Sequence, residues 1–180
     1  SPAEKINETA RKVADASARL PQMEDGTPDQ ARAVRQVRGN PFAPNPCELD
    51  SIEKVLIPIR SGEVLVRIYK PLGLDSGLRS GFVFYHGGGF VLGDVSQYDT
   101  ICQHIAAKSK CIVISVDYKL APENKIKSIH RDGFDAYVWV RENAKRLGID
   151  QKRIAVGGDS AGGNLTIGVE LLCKAEGACI

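Results

Sequence analysis

From Ile52 onward the apolar positions first recur every second residue. Val55, Ile57 and Ile59 alternate with other residues, and after Ser61-Gly62-Glu63 so do Val64, Val66 and Ile68. A period of two interrupted by a short glycine turn predicts a β-hairpin. Pro71–Ser80 then reads as loop. Phe82–Tyr85 and Cys111–Val116 are unbroken apolar runs, which suit strands buried on both faces of a parallel sheet. Between them, Tyr98–Ser109 places Ile101, Ile105 and Ala106 at helical spacing. Asp132–Leu147 does the same with Phe134, Tyr137, Val138 and Trp139, and ends at Gly148. A last short run, Ile154–Val156, leads into a helix-compatible stretch from Asn164 to Lys174. After the opening hairpin the order is strand–helix–strand–helix–strand–helix, which predicts an α/β fold with a mostly parallel sheet flanked by helices.

The chain ahead of the hairpin is polar and helical. Ala10, Val13, Ala14 and Ala18 form a weak apolar stripe that Leu20-Pro21 breaks. A second helix is expected with Thr27 as its cap, Pro28 at the first helical position, and Val34 and Val37 facing inward. Arg32, Arg35 and Arg38 share a helical spacing and read as a solvated face. Asn40 to Pro46 carries three prolines in seven residues and is expected to be an extended connector. The boundary therefore separates a helical N-terminal region with its linker (residues 1–46) from an α/β region (residues 47–180).

Composition narrows the function classes. With 180 residues the chain can build one domain with a real core, and a net charge of +2 gives no field that would gather nucleic acid or an anionic membrane. No apolar run reaches the length of a membrane span, and no secretory leader is visible. The five cysteines are odd in number and contain no C-x-x-C pair, so a reducing, cytoplasmic setting fits better than a disulfide scaffold. Cys102 and Cys111 lie in apolar surroundings, as small buried hydrophobes do. His86, His104 and His130 fall at no metal-ligand spacing with one another or with the cysteines, so no metal site is expected. Self-association into a homo-oligomer is left open.

Two glycine-rich stretches carry chemistry. Gly158-Asp-Ser-Ala-Gly162 fits G-x-S-x-G, in which a serine stands on a tight strand-to-helix turn between glycines. That turn exposes the Ser160 hydroxyl at a helix N-terminus, where free N–H groups favour developing negative charge. The second stretch, His86-Gly-Gly-Gly89-Phe90, follows the strand Phe82–Tyr85, and consecutive glycines there can aim backbone N–H groups at one oxyanion. A plain glycine turn or a phosphate loop would read the same way, but a Walker loop is excluded because no G-x-x-x-x-G-K-[ST] exists. The dinucleotide fingerprint fails because Leu92 stands where its last glycine belongs, so no cofactor is expected.

With both stretches in view, the chain resembles the hormone-sensitive-lipase-like group of α/β-hydrolases, which includes bacterial acetyl esterases and arylacetamide deacetylases. His86-Gly-Gly-Gly89 looks like the family's oxyanion loop. Asp117-Tyr-Lys-Leu-Ala-Pro-Glu123 is similar to its D-Y-R-L-A-P-E strand end, and Gly158-Asp-Ser-Ala-Gly-Gly163 to its nucleophile turn; Arg67, Tyr69, Pro71 and Asp132 match as well. The resemblance implies an α/β-hydrolase fold with an N-terminal helical cap, and a carboxylesterase or lipase-type serine hydrolase; a modest cap and one aromatic beside the oxyanion loop then suggest small, neutral esters with short acyl chains. The resemblance makes Ser160 the nucleophile and the N–H groups of Gly88, Gly89 and Ala161 the oxyanion donors. Asp159 would tether the loop, His86 would orient it, and Phe90 would wall the acyl pocket.

The chain also departs from the family. Asn124-Lys-Ile-Lys127 replaces the usual H-P-F-P, and His130 stands where an apolar helix residue is usual. The family's acid and histidine follow the serine, whereas beyond Ser160 this sequence has only Glu170 and Glu176 as acids and no histidine. The triad acid and histidine are therefore expected beyond Ile180, the chain being the N-terminal part of a longer protein and inactive alone. In the family the strand bearing the serine is central, so Ile154–Val156 should form a bare apolar edge here. A ligand-binding relative without catalysis, like the plant gibberellin receptors, and an inactive truncated product remain the alternatives.

Overall fold

A computed structural model describes residues 7–19, 26–38, 44–73 and 77–178. The expected break at Leu20-Pro21, the first part of the proline-rich connector (residues 40–43) and Cys179 lie outside the described residues. The chain divides into two compact units, Ser1–Gly39 and Asn40–Ile180.

The first unit holds two helices, α1 (Glu8–Ala18) and α2 (Pro28–Arg38). Thr27 caps α2 through a reciprocal pair: its Oγ1 accepts from Gln30 N at 3.3 Å, and Gln30 Oε1 accepts from Thr27 N at 2.8 Å. Val37 does not face inward; it is 83% exposed, and Ala31 is buried instead. Six residues separate the two, which on a 3.6-residue period turns Val37 well away from the Ala31 face. Arg32 is only partly solvated and pairs with Asp29 at 3.1 Å.

The second unit is a five-stranded sheet with helices on both faces. β1 (Ser51–Ile59) and β2 (Gly62–Lys70) form the expected hairpin, with Val55 opposite Val66 and Ile57 opposite Val64. β3 (Arg79–Tyr85), α3 (Asp99–Ser109), β4 (Ile112–Val116), α4 (Ile126–Glu142), a short α5 (Ala144–Leu147), β5 (Ile149–Gly158) and α6 (Ala161–Glu176) follow. The strand order is β1-β2-β4-β3-β5, with β4 antiparallel to β2 and β3 parallel to both β4 and β5.

Alternation along each strand sorts the core onto two faces. Val64, Val66, Ile68, Val83, Tyr85, Ile112, Ile114 and Val116 pack with Ile129, Phe134 and Tyr137 of α4 and Leu165, Val169 and Cys173 of α6. Tyr69, Phe84 and Val113 face the other way, onto Tyr98, Cys102 and Ala106. Every residue of β4 is buried, Ser115 included, which is why that strand reads as an almost continuous apolar run.

Several boundaries differ from the sequence expectation. α4 begins six residues earlier than Asp132, because no proline interrupts the stretch after Lys125, and it stops at Asn143 (φ −96°, ψ 7°). Asn143 Nδ2 donates to Trp139 O at 2.8 Å and so closes the helix end. α6 begins at Ala161 rather than Asn164, Ser160 being its cap residue. β5 is longer than Ile154–Val156 and lies at the edge of the described sheet, yet Ile154 is buried and only Ala155 of that run is exposed. Val156 is half-buried, so this run exposes little apolar side chain.

A polar network ties α3 to the sheet. Arg67, 8% exposed, donates from Nη1 to Asp99 Oδ1 at 2.6 Å; Tyr69 Oη donates to the same oxygen at 2.9 Å, and Gln103 Nε2 to Oδ2 at 2.7 Å. Asp99 thus serves three donors from the first turn of α3, where the helix dipole also favours its charge. Removing it strands a buried guanidinium. Asp99→Ala in the full-length protein is expected to cost about 3 kcal/mol of folding stability, seen as a lower urea midpoint at unchanged slope; a loss under about 0.5 kcal/mol, the level of an inert surface change, would show that the network does not hold α3.

Candidate active site

β3 and β5 are parallel neighbours, and their last residues, Tyr85 and Gly158, sit in register. The two glycine-rich stretches therefore leave the sheet side by side, at the same end. The contact between them is close: a Cβ on Gly158 would lie 2.7 Å from the Gly162 carbonyl carbon, and one on Gly162 would lie 2.6 Å from the Tyr85 carbonyl carbon. Only glycine fits at either position.

The turn they flank holds Ser160 at φ 50°, ψ −117°, a conformation that non-glycine residues rarely adopt. Ser160 is exposed and stands at the N-terminus of α6, a helix of 16 residues. Gly162 N donates to Asp159 O at 2.8 Å and Asn164 N to Ser160 O at 3.1 Å. Ala161 N is one of the first helix N–H groups, which have no intrahelical acceptor.

The loop after β3 is fastened to this turn by Asp159. Its Oδ1 accepts from Gly87 N at 2.8 Å and its Oδ2 from Tyr98 Oη at 3.1 Å. Gly88, at φ 133°, accepts from Leu92 N at 2.8 Å and Val91 N at 3.1 Å, which closes the loop back on itself. Among the described residues, none accepts from the N–H groups of Gly88, Gly89 or Ala161. Two backbone donors in the glycine loop and one at the start of α6 therefore remain unspent.

His86 lies beneath the loop and is fully buried. Its ring stacks on Tyr118, with centroids 4.3 Å apart and planes 14° from parallel, and Tyr118 Oη donates to His86 O at 2.5 Å. Nδ1 is 2.9 Å from Gly87 O, so that nitrogen carries the proton and Nε2 is bare, consistent with Nε2 being buried without a partner. Burial holds the imidazole below its ordinary pKa, against the opposing pull of the Gly87 carbonyl and of Asp117, Asp94 and Asp159. Burial in turn raises the Asp117 carboxyl, although Val95 N donates to it at 3.2 Å.

Phe90 follows the glycines at φ 64°. Its carbonyl accepts from Ala121 N at 2.8 Å, and its half-buried ring lies edge-on to Tyr118 at 6.4 Å and 5.7 Å from the ring of His130. Sequence reasoning gave no role to Tyr98, Tyr118 or Asn164. The tyrosines could have been suspected only as aromatics flanking the two motifs, and Asn164 as the residue one turn beyond the serine.

No imidazole is hydrogen-bonded to Ser160 among the described residues. His104 Nε2 pairs with Asn45 O at 2.9 Å, and His130 with Ile126 O and Asn164 Oδ1. No group of three or more His, Cys, Asp or Glu among the described residues could hold a metal ion, and no described helix is long and apolar enough to cross a membrane.

Residues 82–180 match the family model described as alpha/beta hydrolase fold. An arylesterase of Saccharolobus solfataricus is 42% identical over 119 residues, covering 66% of this chain and 38% of the relative. An ethyl acetate hydrolase of Pseudomonas putida is 38% identical over 139 residues, covering 76% of this chain and 44% of the relative. Among solved structures, the ester-hydrolase EH1AB1 from the metagenome of Lake Arreo, in complex with a bipyridine phosphonate derivative, superposes with a TM-score of 0.87 at 35% identity, over 92% of this chain and 53% of that one. An esterase of Pyrobaculum calidifontis gives a TM-score of 0.79 at 32% identity, over 96% and 54%. The chain thus spans less than half the length of these curated relatives and about half of the solved ones. The match runs through the glycine loop, the Asp117 strand end and the serine turn alike, and it makes this chain a member of the hormone-sensitive-lipase-like α/β-hydrolases.

Proposed function

We propose that this chain carries the nucleophile and oxyanion half of a serine carboxylic-ester hydrolase. The observation that carries the reading is the pairing of an exposed Ser160, held at φ 50°, with the unspent N–H groups of Gly88, Gly89 and Ala161. Ser160 Oγ attacks the ester carbonyl carbon and passes its proton to a base. The carbonyl oxygen becomes an oxyanion at the three donors, and collapse expels the alcohol and leaves an acyl-serine that water hydrolyses. The relatives named arylesterase and ethyl acetate hydrolase favour the same bond type.

The base and its acid partner are proposed to lie beyond Ile180. Each described histidine nitrogen with a partner is engaged elsewhere, and His86 is buried and neutral, suited to supporting the loop and not to taking a proton at the surface. Phe90 beside the donors favours small, uncharged esters with short acyl chains. Ser160→Ala in the full-length protein is expected to lower kcat on an acetyl ester by about 10⁴-fold or more, and residues 1–180 alone should hydrolyse it no faster than their own Ser160→Ala form. Residual activity in the full-length variant above that level would refute the nucleophile assignment.

Asp159 is read as the latch that keeps the donors aimed. Asp159→Ala should lower kcat by about 10²-fold with little change in KM, because an oxyanion donor works only when placed before charge develops. Asp159→Asn keeps an acceptor for Gly87 N and should recover most of that loss. Equal kinetics for the two variants would mean that the hydrogen bond does not position the loop.

A further inference from the structure

His130 lies outside the proposed chemistry, but its surroundings are unusual for a helix surface residue. Its ring is wedged between α4 and α6. Nδ1 pairs with Ile126 O at 2.9 Å, one turn back on its own helix, and Nε2 with Asn164 Oδ1 at 3.2 Å across to α6. The ring sits so near α6 that a Cβ on Gly168 would lie 2.9 Å from Nε2. The ring thus lies in contact with both helices, and the glycine supplies the space that it fills.

Against this fixed ring lies Phe90, centroid to centroid at 5.7 Å and tilted by 41°. Such spacing is that of an aromatic pair in contact. Phe90 has little freedom of its own at the backbone, since its φ is 64° and its carbonyl is held by Ala121 N at 2.8 Å. What remains is rotation of its side chain, and the His130 ring packs against one side of it. Asn164, which orients the imidazole, is itself joined through its N–H to Ser160 O at 3.1 Å. The imidazole therefore connects the nucleophile helix to the wall of the glycine loop.

We propose that His130 is a specificity-determining residue: by blocking rotation of Phe90 it keeps the acyl subsite narrow and restricts the enzyme to short acyl chains. This rests on the ester-hydrolase reading above. His130 touches neither substrate nor reacting atoms; it acts through Phe90, by occupying space. The bulk of the ring matters for selectivity, and its polar contacts with Ile126 O and Asn164 Oδ1 serve to hold that bulk in place.

The test measures kcat/KM for acetyl and hexanoyl esters of one alcohol with the full-length protein. His130→Ala vacates the space, and the hexanoyl-to-acetyl ratio is expected to rise about tenfold, mainly through a lower KM for the longer ester, since a methylene admitted to an apolar pocket is worth about tenfold or more. His130→Phe restores bulk without the polar contacts and should bring the ratio back to within about threefold of the parent. Phe90→Ala should raise the ratio as well, and the double alanine variant should add little to it, because the two residues act as one unit. If alanine at 130 leaves too little folded protein, His130→Val should report the same shift at smaller size. An unchanged ratio in His130→Ala, or equal rises in the alanine and phenylalanine variants, overturns the inference while Ser160-dependent hydrolysis by the parent leaves the broader reading standing. A parent with no Ser160-dependent hydrolysis overturns both.

Discussion

The carbonyl of Tyr85, at the last residue of β3, lies against the backbones of Gly158 and Gly162, with no room for a side chain on either. This approach is possible only because β3 and β5 run parallel and in register to their ends, Tyr85 opposite Gly158. It fixes where the chain must turn, and the turn in a single step from strand to helix forces Ser160 to φ 50°. Strain of this kind persists only where the surroundings over-determine it. Here the sheet register, the two glycines and the start of α6 do so together. The rest of the site is arranged around a serine whose position is set by backbone packing and not by its own side chain.

A second constraint couples the serine turn to the loop after β3. Asp159 takes one hydrogen bond from Gly87 N and one from Tyr98 Oη, so the residue next to the serine also sets the glycine loop. Beneath that loop, His86 is kept neutral by burial and stacked on Tyr118. Its anchoring by Tyr118 Oη through the backbone carbonyl means that the strand end Asp117-Tyr118 supports the loop from the other side. Three sequence motifs far apart along the chain thus meet in one small hydrogen-bonded unit.

Much of this was legible in the sequence, for reasons that differ by element. The hairpin showed through its period of two, and β4 through an apolar run that two-sided burial requires. The glycine at 162 and the serine at 160 were visible because a tight turn tolerates few residues. The start of α4 was not, since the reading began the helix at Asp132 while the stretch from Ile126 carries no signal except the lack of a proline. The inward placement of Val37 failed because an apolar residue alone does not fix which side of a short helix is covered. Tyr98, Tyr118 and the His130–Asn164 pair were invisible for another reason: their importance lies in contacts between elements distant in sequence, and no local pattern marks a side chain for a partner on another helix.

The account stands most directly on the chemical identity of Ser160 as an activated nucleophile. Treating the full-length protein with a fluorophosphonate probe, then digesting it and locating the adduct by mass spectrometry, tests this without choosing a substrate. The account predicts one adduct, on the peptide carrying Gly158-Asp159-Ser160, and its loss in Ser160→Ala. Labelling at another serine, or an adduct that persists in the variant, would contradict it.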